Sequence, residues 1–348
     1  MKNGGLDYHS NSQDYYGRVL QSNRDLKTSA CCENSAPPDW LKPLFANLDP
    51  EIIERSYGCG SPIPVAIEGC TILDLGSGTG RDVYLAAQLV GQEGRVIGVD
   101  FTKEQLNLAR EKLPHQMERF GYSSSNVEFY ESPLEDLDSL PIASNSVDVI
   151  ISNCVLNLCP DKTKVLEQVF RALKPGGELY FSDIFADRRL PPALANDPDF
   201  HGECLGGAWY WEDFRRSLAT AGCPDYRIVS HSQLSLEDPR MRAVSAGIKF
   251  ESATIRCFKS ANLEDRCEDY GQSITYRGTI PQPPRQFSLD SNHHFEVGRP
   301  VRVCGNTAAM IQESRFASHF TVSGDRAHHF GIFPCASSDS TDPQPGCC

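Results

Sequence analysis

Residues 71–80 read TILDLGSGTG, with Arg81 and Asp82 directly after. An apolar run ends in glycines at 76, 78 and 80, and an amphipathic run from Arg81 to Val90 follows. Strand, tight turn and helix are the expected products. Small residues let the backbone approach a ligand there, and the helix start offers unbonded N–H groups. Twenty residues after Gly80, Asp100 closes the next apolar run, RVIGVD. A carboxylate at that position can accept both hydroxyls of an adenosine ribose. An ordinary βα turn, with Asp100 as a helix N-cap, is the plainer reading; glycines and spaced acid together favour the nucleotide site.

Working outward, apolar runs NVEFYE (126–131), VDVIIS (147–152) and ELYFSDIF (178–185) alternate with helical patterns at Lys103–Phe120 and Thr163–Leu173. This alternation predicts an α/β, Rossmann-like, mainly parallel sheet covered on both faces. Beyond Asp187 the sequence predicts a helix start at Pro191, a loop HGECLGGAWYW, a helix at Trp211–Thr220 and strands at Tyr226–Leu234 and Ser252–Phe258, together capping the strand ends. From 261 onward, SITYRG, RQFSLD, HHFEVG and a helix near Ala308–Phe316 suit a small C-terminal α+β domain. The expected division is therefore an N-terminal thiol-bearing arm and lid (1–69), a core (70–186), a cap region (187–260), the small domain (261–335) and a flexible tail (336–348). The arm holds helical candidates near Tyr15–Leu20, Pro38–Ala46 and Pro50–Ser56.

Composition limits the function classes. A net charge of −13 argues against duplex nucleic acid, whose phosphates demand clustered lysine and arginine. MKNGGLDYHS lacks the apolar core of a signal peptide, and no run reaches the roughly 20 apolar residues that span a bilayer. The expected compartment is the cytoplasm, where the 14 cysteines stay mostly reduced. None forms a C-x-x-C pair, which disfavours a zinc ribbon.

Four thiols stand where such a fold opens its active site. Cys154 follows the fourth strand, Cys204 sits in GECLGG, and Cys59 and Cys31 precede the sheet. A single cysteine is more often a small buried hydrophobe. Four in polar loops point instead to a soft acceptor, and trivalent arsenic, which carries a nucleophilic lone pair, wants two or three sulfurs.

The G-x-G-x-G run after Asp74, with the turn LKPGGELYF at 173–181, resembles class I S-adenosylmethionine methyltransferases, so Asp74, Gly76, Ser77 and Gly78 are expected to contact that cofactor. The segments YYGRVL, YGCG, ILDLGSGTGRD, SNCVLNL, KPGGELYFSD and GECLGGA further resemble the arsenite S-adenosylmethionine methyltransferase family, from about Tyr15 into the C-terminal domain. The resemblance implies that Cys154 and Cys204 hold the trivalent arsenical, with Cys59 as a further ligand and Cys31 as a further thiol for binding and redox steps. Cys32, adjacent to Cys31, leaves that assignment open. It also implies arsenite and methylarsenite as substrates, as thiol conjugates, and a thioredoxin- or glutathione-type reductant. Tyr57 and Tyr16 would pack on the sulfonium or adenosine, or are plain lid aromatics. Asn153 would meet the cofactor's amino-acid portion or cap a turn. Glu203 steadies the arsenic loop or is a solvated surface charge.

The remaining thiols and histidines take lesser roles. Cys70, Cys159, Cys223 and Cys257 are read as structural, and Cys267, Cys304 and Cys335 belong to the C-terminal domain. Cys347 and Cys348 end the chain as a vicinal pair, and His293, His294, His328 and His329 are read as surface residues rather than zinc ligands. A monomer is expected, with neither nucleic acid nor membrane as partner. Two rivals predict different chemistry: an O- or C-methyltransferase with Glu203 or His201 as general base, and a non-catalytic metalloid-binding protein.

Overall fold

The computed structural model describes residues 37–334, apart from positions 59, 61, 237, 246 and 283. Two short helices, α1 (Lys42–Ala46) and α2 (Pro50–Glu54), precede the sheet. Asp49 starts α2 by accepting the Glu51 N–H at 3.0 Å, with proline in the first turn.

The alternating segment folds as β1 (Thr71–Leu75), α3 (Arg81–Val90), β2 (Arg95–Asp100), α4 (Lys103–Phe120), β3 (Val127–Glu131), β4 (Val147–Asn153), α5 (Lys162–Ala172) and β5 (Leu173–Ala186). In β1 every residue after Thr71 is buried, as a strand covered on both faces requires. The helix α3 turns Val83, Tyr84, Ala87 and Val90 inward. Tyr84 reconciles its polar tip with that burial by donating its hydroxyl to Ala109 O of α4 at 2.5 Å.

After β5 come α6 (Pro192–Ala195), α7 (Pro198–Gly202), β6 (Trp209–Tyr210), α8 (Trp211–Thr220), β7 (Tyr226–Gln233), α9 (Pro239–Val244) and β8 (Phe250–Phe258). The sheet runs β3-β2-β1-β4-β5-β8-β7, with β6 paired to the end of β5. Strands β1 to β5 are parallel and β8 is antiparallel to both neighbours. This corrects the expected division at one point: β7 and β8 are not cap but complete the main sheet, and only the stretches around α6, α7 and α9 lie over its carboxyl edge. The Lys-Pro-Gly-Gly turn is likewise taken into the start of β5, where the β4–β5 register shifts between Val147 and Val149.

The C-terminal domain contains β9 (Ser273–Tyr276), β10 (Gln286–Ser288), β11 (His294–Glu296), β12 (Pro300–Arg302), α10 (Gly305–Gln312) and β13 (Phe320–Ser323). It adds a three-stranded sheet β12-β9-β13 and the hairpin β10-β11. The helix begins three residues earlier than the sequence suggests, because Cys304 caps it. Glu178 and Arg256 anchor this domain to the core: Glu178 is fully buried and ion-paired to Arg256 and Arg315, each at 2.5 Å. Phe258, Phe287, Phe316 and Phe320 continue one hydrophobic core across the seam.

Candidate active site

The glycine turn delivers the first wall of a cleft at the carboxyl ends of β1, β2 and β4. Gly76 takes φ +73, a left-handed backbone that a side chain strains, and a Cβ there would lie closer than 3.0 Å to Cβ and both γ-methyls of Val155. The turn and the residue after Cys154 are thus in close contact. Asp100 binds back onto the turn: Oδ2 accepts Gly78 N–H at 2.8 Å and Oδ1 accepts Thr102 N–H at 2.7 Å. Burial pushes its carboxyl up, and the backbone donors of Thr102 and Gly78 oppose that rise.

Asp74, at the end of β1, is buried in the same wall, and its carboxyl is raised well above the usual range by burial and then by the neighbouring Asp82. Arg81 is committed to Asp82, with Nε at 3.0 Å and Nη2 at 3.0 Å, and to Gly60 O at 2.9 Å. A cationic ligand placed against this wall would favour the ionised form of the buried Asp74 carboxyl. Asn153 donates to Gly60 O at 2.9 Å and Asp82 Oδ2 at 3.0 Å, while its Oδ1, like Ser77 Oγ, is buried without a partner among the described residues. Two such polar atoms on a cleft wall suit a polar ligand, because leaving them unbonded costs about 1–3 kcal/mol each. Phe101, Leu134, Val155 and Leu158 add an apolar part of the lining suited to an adenine, and Tyr57 and Gln105 stand beside them. The described residues therefore fit an adenosyl cofactor with a cationic tail.

Cys154 lines the same cleft and Cys204 packs behind it. Both lie in one cluster with Ile184, Phe200 and Leu205, at 4 % and 1 % exposure. The Cys204 thiol donates to Cys154 O at 3.1 Å. Each has a left-handed backbone, φ +56 and +61, which costs roughly 1–2 kcal/mol per non-glycine residue and persists only where the surroundings enforce it. Cys154 is disulfide-bonded, and the seven other described cysteines, Cys204 included, are reduced.

Asn157 ties the two cysteine loops together. Its Nδ2 donates to Ile184 O at 2.7 Å and to Cys204 O at 3.3 Å, and its N–H donates to Asp183 Oδ2 at 3.1 Å. A Cβ at Gly207 would overlap Asn157 O, so only glycine lets the Cys204 loop close this tightly. Lys162, at the start of α5, donates to Gly207 O and lies 4.7 Å over the Trp209 ring. Burial pulls its amine down to about 8 and pushes Asp183 up to about 7. Burial, and then Lys162, hold the nearby His201 imidazole down to about 4.

The structure brings Tyr57, Asp74, Gly76, Ser77, Gly78, Asp100, Asn153 and Cys154 to one cleft, with Cys204 against it. Cys31, Cys32, Cys59, Tyr16, Cys335, Cys347 and Cys348 lie outside the described residues. Glu203 corrects one expectation: it is fully buried and no solvated surface charge. Cys159 ends the short 3₁₀ turn Leu156–Leu158, and burial pushes its thiol far up. Among the described residues no cluster of histidine, cysteine and carboxylate could hold a metal, and His293 is engaged with Asp290 at 2.8 Å. Arg81, Asp82, Asn157, Lys162 and Asp183 escaped sequence reasoning; only the polar pair following GTG and the second asparagine of SNCVLNL offered a hint.

Comparison with known proteins meets this geometry. Residues 67–222 match a methyltransferase domain model, and residues 270–343 match the arsenite methyltransferase C-terminal domain. An arsenite methyltransferase of Aquipseudomonas alcaligenes is 52% identical over 325 residues, 93% of each chain. The human arsenite methyltransferase is 40% identical over 89% of this chain and 82% of its own. The crystal structure of CrArsM, an arsenic(III) S-adenosylmethionine methyltransferase of Chlamydomonas reinhardtii, covers 86% of this chain and all of its own, at 44% identity and a TM-score of 0.83. The chain belongs to the arsenite methyltransferase family.

Proposed function

We propose that this protein transfers methyl groups from S-adenosylmethionine to trivalent arsenic held by Cys154 and Cys204. The observation that carries the reading is the 3.1 Å contact of the Cys204 thiol with Cys154 O, beside the cleft that the glycine turn and Asp100 enclose. When bound, the cofactor supplies an electrophilic methyl on a cationic sulfur. Asp100 takes the ribose hydroxyls, Gly76, Ser77 and Gly78 the backbone-facing contacts, and Asn153 Oδ1 the amino-acid end. Asp74 is drawn toward its ionised form by the cation once the cofactor is bound, and Tyr57 offers an aromatic face.

The cysteines perform the other half. Two sulfurs hold the metalloid and aim its lone pair at the methyl for an in-line displacement, with proximity and orientation supplying much of the acceleration. No proton leaves the acceptor, so no general base is needed. Cys59 and Cys31 are proposed to add a third ligand and a redox thiol. The disulfide at Cys154 must be opened before that sulfur can bind arsenic, which supports an external thiol reductant of thioredoxin or glutathione type. Thiol-conjugated arsenite and methylarsenite are the proposed substrate forms, for a monomer in the cytoplasm. Among the described residues no helix is long and apolar enough to cross a membrane.

The test is direct: reduced protein, arsenite, S-adenosylmethionine and a thiol are incubated and the arsenic species resolved by mass spectrometry. Methylated arsenicals support the function; their absence from a sample that binds the cofactor refutes it.

A further inference from the structure

Two thiols are buried together at the seam between β7 and the C-terminal domain, in addition to those of the cleft. Cys304 caps α10: its sulfur accepts Thr307 N–H at 3.5 Å and shares a hydrogen bond with Thr307 Oγ1 at 3.3 Å. Arg227 Nη2 stands 3.9 Å from that sulfur, its guanidinium 1 % exposed and held by Asp225 at 2.8 Å. Cys267 hydrogen-bonds Cys304 side chain to side chain, and Gly305 N–H donating to Glu268 O at 2.8 Å keeps the two backbones together. Both cysteines are 1 % exposed and reduced.

The surroundings divide the pair into unlike members. The hydrogen bond from Cys267, helped by Arg227 and Thr307, pulls the Cys304 thiol below its ordinary range despite burial. The same bond, and then burial, push the Cys267 thiol up. A thiolate at a helix start, beside a cation and with a protonated thiol in contact, has the makings of a nucleophile and its resolving partner.

We propose that Cys267 and Cys304 form a reversible redox couple that low-molecular-weight disulfides oxidise to an intramolecular disulfide. The Cys304 thiolate attacks one sulfur of the small disulfide, forming a mixed disulfide and expelling a thiolate. The Cys267 sulfur then attacks Cys304, and its proton leaves with the second small thiol. One disulfide forms and one breaks; two electrons pass to the small molecule, and charge and proton count are conserved. Closing the couple adds no atom to the packed interior. A chelated arsenical would need room for arsenic and its third ligand between two sulfurs that are 1 % exposed. Access runs past residues 330–333, held to Cys267–Asp269 by three backbone hydrogen bonds of 2.7 to 2.8 Å, with Phe330 and Ile332 exposed, a segment suited to local opening.

The experiment equilibrates the reduced full-length protein with graded ratios of oxidised to reduced glutathione, quenches by alkylation and maps peptides by mass spectrometry. A Cys267–Cys304 cross-linked peptide should rise with the ratio and disappear in excess reduced glutathione. In Cys267→Ser, Cys304 should accumulate as its glutathione adduct. In Cys304→Ser the cross-link should vanish, while serine, itself a favoured N-cap, keeps the melting temperature within a few degrees of the parent. The proposal is overturned if both thiols remain alkylatable at every ratio, or if either joins Cys335 instead. It is equally overturned if phenylarsine oxide shields the pair while oxidised glutathione leaves it reduced.

Discussion

Replacing Gly76 by alanine perturbs two halves of the site at once. The backbone stays at φ +73, which costs an alanine roughly 1–2 kcal/mol. The new methyl would also fall inside 3.0 Å of Cβ and both γ-methyls of Val155, an overpacking of about 1–3 kcal/mol. Gly76→Ala should therefore lose about 2–5 kcal/mol of stability, and cofactor affinity should fall at least about tenfold as the turn is pushed out of place. Val155→Ala in the same chain removes the two colliding γ-methyls but leaves the contact with its Cβ and the backbone strain. The double variant should recover part of the overpacking share, giving a favourable coupling of about 1–2 kcal/mol in the double-mutant cycle. Urea titration followed by tryptophan fluorescence reads stability, and calorimetric titration with S-adenosylmethionine reads affinity. A coupling below about 0.5 kcal/mol, within the additivity of independent sites, would refute the contact between the glycine turn and the Cys154 loop.

Cys204→Ser should lower the rate of arsenite methylation by roughly a hundredfold or more, about 2.7 kcal/mol, while calorimetry finds cofactor affinity changed less than about twofold. Asn157→Ala abandons two buried carbonyls, Ile184 O and Cys204 O, and should cost about 1–3 kcal/mol in urea melts, with a raised KM for arsenite because the Cys204 loop is released. Asp183 carries a pH signature. Its folded pKa, pushed up to about 7 from 3.8 chiefly by burial, means that the folded protein keeps a proton that the unfolded chain has lost. Its contribution to stability is complete below about pH 4 and is lost as pH rises through 7, at a slope of at most about 1.4 kcal/mol per pH unit. Asp183→Asn should flatten that decline in unfolding free energies measured between pH 5 and 8.

The turn and strand ends that wall the candidate site could be read from the sequence because their signals are local. The run TILDL, the glycines that follow and the carboxylate closing RVIGVD lie within thirty residues, and each obeys the geometry of a strand, a turn or a strand end. What sequence could not supply came from pairing across long separations. Strands β7 and β8 join the sheet after the cap elements, through the antiparallel match of Glu178 to Phe258 and its successors, and nothing in Tyr226–Leu234 announces that partner. The burial of Glu203 and the clamp of Asn157 onto Cys204 likewise depend on a loop returning 47 residues later. The cap of α10 was missed because cysteine is not a usual N-cap, although Cys304 performs that office.

Arsenic K-edge absorption on the reduced, arsenite-loaded protein tests the central claim most directly. A first shell of sulfur alone in the parent, and a sulfur count reduced in both Cys154→Ser and Cys204→Ser, is the predicted result. An oxygen-bound arsenic, or a shell unchanged by either substitution, would contradict the account.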